Sequence, residues 1–122
     1  MGRVVLITGV SRYLGGRMSQ ILTSDPAIDR VIGVDVVPPR SAIGGAEFVR
    51  ADIRNPIIAK VINAASVDTV VHMGIIATPL QAGGRTSMKE INVIGTMQLL
   101  AACQKAPSVQ RLVVKSTSSV YG

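Results

Sequence analysis

Apolar and polar positions along the chain follow two alternating patterns. Short runs, most of them rich in Val and Ile, predict five strands, at residues 3–7, 30–36, 47–52, 68–73 and 111–116. Between several of these runs the apolar residues recur every three or four positions, as they do along one face of a helix. The alternation predicts a parallel sheet covered by helices.

Two helices are predicted in the first half of the chain. The first has an apolar stripe made of Leu14, Met18, Ile21 and Leu22. It should end at Asp25-Pro26, because the residue before a proline avoids helical geometry. The second should begin at Asn55-Pro56, a helix cap followed by proline at the first helical position, and run through Ile62.

A third and longer helix is predicted in the second half of the chain. Ser87 and Glu90 have the spacing of a capping box, in which each side chain binds a free backbone N–H of the first turn. The stripe that follows is mostly apolar and ends before Pro107; it consists of Ile91, Ile94, Gln98, Leu99 and Ala102. Between the fourth strand and this helix, residues 78–86 show no periodicity and predict a loop at the ligand-binding side.

Five parallel strands joined by right-handed crossovers would lie in the order 3-2-1-4-5. The predicted fold class is therefore α/β, a Rossmann-like doubly wound parallel sheet in one domain over residues 1–122. This sheet would lack its last strand or strands and would have an open edge at the fifth strand. The expectation is a truncated domain without a substrate-binding lobe.

Composition excludes several classes of protein. With 48% hydrophobic and 16% charged residues, the chain has the balance of a folded domain. The net charge of +6 could indicate an anionic partner, but no two basic residues are adjacent, and the only aromatic residues are Tyr13, Phe48 and Tyr121. A nucleic-acid-binding surface is therefore not expected.

The single Cys103 excludes an internal disulfide and fits a reducing cytoplasm, and its apolar context predicts a buried helix residue. The longest early apolar run, residues 4–10, is too short to cross a membrane. His72 is predicted to be a hydrogen-bonded histidine at a strand end, and without a Cys/His cluster no metal site is expected. We therefore expect a cytoplasmic protein with no membrane partner.

The segment TGVSRYLGG, residues 8–16, follows the first strand and opens the first helix. Glycines in such a turn let backbone N–H groups and the helix N-terminus face a pyrophosphate. Gly9 would make the tight turn, and Gly15 would allow close contact between helix and strand. Asp35 ends the second strand, where its carboxylate could accept from ribose hydroxyls and would repel a 2′-phosphate. The predicted cofactor is NAD rather than NADP.

With these motifs the chain resembles the extended short-chain dehydrogenase/reductase family, specifically its NAD-dependent sugar epimerases and dehydratases. The resemblance covers essentially all 122 residues. It is carried by six segments in order: TGVSRYLGG, Asp35, ADI at 51–53, VVHMG at 70–74, NVIGT at 92–96 and STSSVYG at 116–122.

The resemblance implies cofactor-binding roles for further residues. Tyr13 and Leu14 would present backbone amides to the pyrophosphate, and Arg12 would lie beside them. The remaining contacts would be Asp52 and Ile53 at the adenine, Met73 and Gly74 along the cofactor ribose, and Asn92 as support from a helix. Two of these have plainer explanations, since Asp52 could cap a turn and Asn92 could be a solvated helix residue.

For catalysis, the resemblance implies that Thr117 hydrogen-bonds the substrate hydroxyl and stabilises its oxygen as hydride leaves the adjacent carbon. Thr117 could instead be structural, because it lies in a Ser/Thr-rich strand end. The family's Tyr-x-x-x-Lys motif is absent from these 122 residues, and Tyr121 does not replace it. By itself, the chain is therefore expected to be inactive.

Two other positions depart from the family pattern. Arg12 replaces the middle glycine of the phosphate loop; its side chain could fold over the cofactor and pair with a phosphate, which we favour, or crowd the pyrophosphate. Ile75 stands where the family has a small residue, so it could narrow the pocket beside the nicotinamide.

Together these observations predict the NAD-binding portion of an epimerase- or dehydratase-like oxidoreductase that acts on a nucleotide-sugar-like substrate. A non-catalytic dinucleotide-binding or sensing module is the alternative. A third interpretation is a subunit whose fifth-strand edge pairs with a partner. The resemblance also implies a homodimer, formed through helices that include residues 87–106.

Overall fold

The computed structural model describes residues 3–11, 13–39, 43–73 and 94–114. Within these ranges the chain forms five strands and three helices. In chain order they are β1 (Arg3–Thr8), α1 (Tyr13–Thr23), β2 (Ile28–Asp35), β3 (Glu47–Arg50), α2 (Ile57–Ala64), β4 (Thr69–His72), α3 (Gly95–Lys105) and β5 (Arg111–Val114).

The five strands form one sheet in the order β3-β2-β1-β4-β5, which confirms the predicted topology. Every neighbouring pair is parallel. Thr8 at the end of β1 is in register with Val34 of β2 and with His72 of β4. The carboxyl ends of the three central strands therefore meet at one edge of the sheet.

The two faces of the sheet are covered by different helices. Successive residues of β1 alternate between them, as the two-residue repeat of a strand requires. Leu6 packs in a core with residues of α2 and α3, including Ile62 and Leu99. Val5 and Ile7 belong to a second core, on which Met18 and Leu22 of α1 pack. Helices on both faces make this a doubly wound α/β sheet.

Only two of the four residues in the apolar stripe of α1, Met18 and Leu22, pack on the core. Ile21 is 60% exposed and Leu14 is 47% exposed, whereas Gly15 and Ser19 are buried. The Ser19 hydroxyl donates to the Ile43 carbonyl, with an O···O distance of 2.6 Å, so its burial leaves no unsatisfied polar group. The small Gly15 lets the helix lie close to the sheet.

The predicted start of α2 agrees with its structure. The Asn55 side-chain oxygen accepts from the Ile57 N–H at 3.0 Å, and Pro56 already has helical dihedral angles, φ −58° and ψ −16°. The helix ends at Ala64, two residues beyond the predicted end.

Helix α3 buries Gly95, Leu99 and Cys103, four residues apart. Of the predicted apolar stripe, Leu99 is buried, whereas Ile94 is 44% exposed. A side chain at position 95 would overlap Ile53, which explains why glycine faces the core there. Cys103 is buried in the helix as predicted, and burial raises the pKa of its thiol. The proposed capping box at Ser87 and Glu90 lies outside the described residues.

Candidate functional site

The turn between β1 and α1 lies at the edge where the strand ends meet. Gly9 has a positive φ of 73°, a conformation that favours glycine, and its N–H donates to the Val34 carbonyl at 2.8 Å. A Cβ atom on Gly15 would overlap the Gly9 carbonyl oxygen. Both glycines are therefore required for the first turn of α1 to rest directly on this segment.

The N-terminus of α1 is open to solvent. Tyr13 is 79% exposed, and the first turn holds no acidic residue. The first N–H groups of a helix have no acceptor within the helix and carry its positive partial charge. This end of α1 can therefore accept a phosphate group, although Arg12 lies outside the described residues.

Asp35 is a buried carboxylate, 9% exposed, at the end of β2. One carboxylate oxygen accepts from the Ser11 N–H at 3.1 Å and the other accepts from the Val36 N–H at 2.7 Å. Each oxygen has a second lone pair, so both can still accept from hydroxyl groups of a ligand. The turn thus holds the carboxylate in a fixed orientation beside the helix N-terminus.

Sequence reasoning missed the contribution of Ser11. Its hydroxyl donates to the Val37 carbonyl at 2.5 Å, while its N–H binds Asp35. These two bonds join the turn between β1 and α1 to Asp35 and Val37, the residues on either side of Val36. The available signal was a hydroxyl residue within the glycine-rich segment, but its partners lie 24 and 26 residues away.

A buried hydrogen-bonded chain lies beneath the same edge. His72 is 2% exposed, and its Nδ1 lies 2.6 Å from the Thr8 hydroxyl while its Nε2 lies 3.0 Å from the Thr96 hydroxyl. The Met73 N–H donates to that Thr8 hydroxyl at 3.0 Å. Threonines therefore satisfy both ring nitrogens, as expected for a structural histidine, and the chain joins β1, β4 and α3.

Burial lowers the pKa of His72 from its ordinary value of 6.5. The ring is therefore neutral at pH 7, with one nitrogen donating and the other accepting. Because Thr8 immediately precedes Gly9, this neutral network supports the turn from below.

Asp52 and Ile53 follow β3, one strand further along the edge. Both Asp52 oxygens accept from the Arg54 guanidinium, at 3.0 and 2.7 Å, and Oδ1 also accepts from the Arg54 N–H at 2.8 Å. The hydrogen bonds from Arg54 lower the pKa of the Asp52 carboxyl. These contacts match the turn-capping alternative, and the predicted role of both residues at an adenine stays a prediction.

The structure brings together five of the predicted residues around the strand ends, namely Gly9, Tyr13, Leu14, Gly15 and Asp35. Met73 follows β4 at the same edge, where its N–H also lies 3.3 Å from the Thr8 carbonyl oxygen. Arg12, Gly74, Asn92 and Thr117 lie outside the described residues, as do Ile75 and Tyr121.

In the part of the chain that the structure describes, no cluster of three or more His, Cys, Asp or Glu side chains could hold a metal ion. None of the helices within those same ranges is long and apolar enough to cross a membrane.

These features fit a dinucleotide. The Gly9–Gly15 contact sets the start of α1 directly on the turn, and Asp35 offers an acceptor at the neighbouring strand end. The pyrophosphate of a dinucleotide needs N–H donors, which the start of α1 supplies. The hydroxyls of its ribose need an acceptor, which the Asp35 carboxylate supplies.

Comparison with known proteins gives a family match over residues 5–122, to the NAD dependent epimerase/dehydratase family. An uncharacterized protein of Mycobacterium tuberculosis is 56% identical over 98% of this chain and 33% of its own length. CDP-paratose 2-epimerase of Salmonella typhi is 30% identical over 97% of this chain and 38% of its own length. The chain thus spans about a third of the length of these relatives.

Among solved structures, the chain is similar to a UDP-glucose-4-epimerase from Stenotrophomonas maltophila, crystallised with bound NAD and formylated UDP-arabinopyranose. The TM-score is 0.83 and the identity is 29%, over 98% of this chain and 38% of that one. It is also similar to UDP-glucuronic acid 4-epimerase from Bacillus cereus in complex with NAD, with a TM-score of 0.75 and 26% identity over 98% of this chain and 41% of that one.

Proposed function

The chain belongs to the NAD dependent epimerase/dehydratase family, and we propose that it binds NAD at the carboxyl ends of β1, β2 and β4. The observation that carries this proposal is the joint geometry of Gly9, Gly15 and Asp35. The two glycines let α1 begin on the turn, and the same turn holds the Asp35 carboxylate through the Ser11 N–H.

In this proposal, the N–H groups of Tyr13 and Leu14 bind the pyrophosphate, and Asp35 accepts from the hydroxyls of the adenosine ribose. A 2′-phosphate would approach the Asp35 carboxylate, so NADP should bind more weakly than NAD. Arg12 pairs with a phosphate, Met73 and Gly74 line the other ribose, Asn92 supports the site, and Asp52 and Ile53 border the adenine.

The activity of the whole protein is a further proposal, because the chain spans about a third of its relatives. When bound, NAD would supply the acceptor for a hydride from a sugar carbon that bears a hydroxyl, and the hydroxyl proton would pass to a base outside residues 1–122. Thr117 would hydrogen-bond that hydroxyl and hold its oxygen in place. A nucleotide sugar is the proposed substrate class, since similar proteins are named as epimerases of CDP- and UDP-linked sugars. Residues 1–122 alone are proposed to be inactive.

The second candidate function is a dinucleotide-binding module without catalysis. It is favoured by Arg12, which replaces the middle glycine of the phosphate loop. Turnover of nucleotide sugars by the longest natural form of the protein would separate the two functions. We also propose a cytoplasmic location, from the unpaired Cys103, and a homodimer, from the family alone.

The test of cofactor binding is a calorimetric titration with NAD. The protein should bind NAD, and Asp35→Ala should weaken binding by at least about tenfold, because hydrogen bonds to a charged group are worth about 1.5–3 kcal/mol. The control is Glu47→Gln, which removes an exposed carboxylate paired with Arg30 at the opposite end of the β2–β3 pair. Absence of NAD binding, or equal loss in both variants, would overturn the proposal.

A further inference from the structure

Arg50 lies beside Asp35 on the same face of the sheet. The two residues are register partners at the ends of β3 and β2. Their preceding residues, Val49 and Val34, are also register partners, and both pack in the core that α2 and α3 cover. Because successive side chains of a strand point to opposite faces, Asp35 and Arg50 both point to the face that carries α1.

The Arg50 guanidinium is held at the strand end. Its Nε donates to the Val36 carbonyl at 3.0 Å, so the cation lies next to the residue that follows Asp35. The ion pairs within the described ranges are Arg30–Glu47 and Arg54–Asp52, and neither includes Arg50. The planar guanidinium has five N–H donors, and this bond uses one of them.

Resting on the proposed NAD site, we propose that Arg50 is a second specificity-determining residue, which offers a counter-charge to a 2′-phosphate on the adenosine ribose. Asp35 and Arg50 then act in opposite directions. The carboxylate disfavours NADP by repulsion, whereas the guanidinium can bind a phosphate through two parallel N–H···O bonds. Discrimination against NADP is therefore weaker than Asp35 alone would produce, and removal of Asp35 uncovers a phosphate site that is already in place.

The chemistry of Asp35 and Arg50 explains why substitution of Asp35 alone should be enough to improve NADP binding. A guanidinium that is already held in place loses less side-chain entropy when it binds a phosphate, and the bond to Val36 holds Arg50 in this way. A serine at position 35 would remove the negative charge and leave a hydroxyl that can donate to a phosphate oxygen.

The experiment measures dissociation constants for NAD, NADP and 2′,5′-ADP by calorimetry in Asp35→Ser, Arg50→Gln and the double variant. Asp35→Ser should bind NADP at least about tenfold more tightly than the unmodified protein does, and adding Arg50→Gln should remove at least about fivefold of that gain. Arg50→Gln alone should weaken NADP and 2′,5′-ADP more than NAD. Arg30→Gln, which removes an arginine from the opposite end of β2, should change none of these constants.

Equal NADP affinity in Asp35→Ser and the double variant would overturn the inference, as would the absence of any gain in Asp35→Ser. If Asp35→Ser fails to fold by circular dichroism, the decision rests on Arg50→Gln, and an unchanged 2′,5′-ADP constant in that variant would also overturn it. A failure of the underlying site gives a different result, because the unmodified protein would then not bind NAD at all.

Discussion

His72 makes the stability of this protein depend on pH in a defined range. It is the only histidine in the sequence, and burial lowers its pKa below the ordinary value of 6.5 that the unfolded chain retains. As the pH falls, the unfolded chain therefore takes up a proton before the folded protein does. The contribution of the neutral ring is complete above about pH 6.5 and is lost below it.

The size of the effect follows from proton linkage. One proton bound only by the unfolded chain changes the free energy of unfolding by at most about 1.4 kcal/mol per pH unit. Between pH 7.5 and 5.5 the free energy of unfolding should therefore fall, by no more than about 1.4 kcal/mol. The pKa values of Glu47 and Asp52 are lowered from 4.5 and 3.8, so the stability that these carboxylates contribute is lost only at lower pH.

Urea denaturation at pH 7.5, 6.5 and 5.5 measures this loss directly. The matched variant is His72→Gln, which leaves a polar side chain between Thr8 and Thr96 but removes the titration. It should be less stable at every pH, and its unfolding free energy should be the same at pH 7.5 and 5.5. If the variant loses as much stability as the unmodified protein, or if neither loses any, the reasoning about His72 is refuted.

Three further predictions concern packing. Gly33→Ala should cost about 1–3 kcal/mol in thermal unfolding, because its Cβ would lie 2.6 Å from Val10 Cγ2, whereas Gly45→Ala, with its nearest contact at 4.0 Å, should change little; equal effects would contradict this. In urea unfolding, Ile62→Ala should lower the free energy of unfolding by about 2–5 kcal/mol, because Ile62 is fully buried, and Ile21→Ala by less than about 1 kcal/mol. A similar loss in both variants would show that Ile21 is also buried in solution. A thiol reagent should label Cys103 slowly at pH 8 and rapidly in urea; fast labelling of the folded protein would show that the thiol is accessible.

The order of the strands could be predicted because it depends on local patterns. Each apolar run marks a strand, and the right-handed crossover rule then leaves few arrangements of the sheet. The spacing of Gly9, Gly15 and Asp35 likewise indicated a turn, a helix start and a strand end. Such signals are confined to short segments of sequence.

The contacts of the site could not be predicted in the same way. The bond from Arg50 to Val36 and that from Thr96 to His72 depend on which residues of separate elements become neighbours. The exposure of Ile21 and Ile94 has a related cause. An apolar stripe suggests the face that a helix buries, but at Gly15 and Gly95 close packing selected small residues instead.

The central position of β1 has a consequence for the order in which the chain folds. Both of its sheet neighbours come later in the sequence, and the bond from the Val4 N–H to the Asp68 carboxylate, at 2.8 Å, spans 64 residues. Closing a loop of that length costs chain entropy before the strand pairing compensates for it, and pairings of this kind slow folding. Of the five described strands, β1 therefore leaves the ribosome first but cannot gain its second neighbour until β4 has followed. Its pairing is completed only after β2 and β3 have been made.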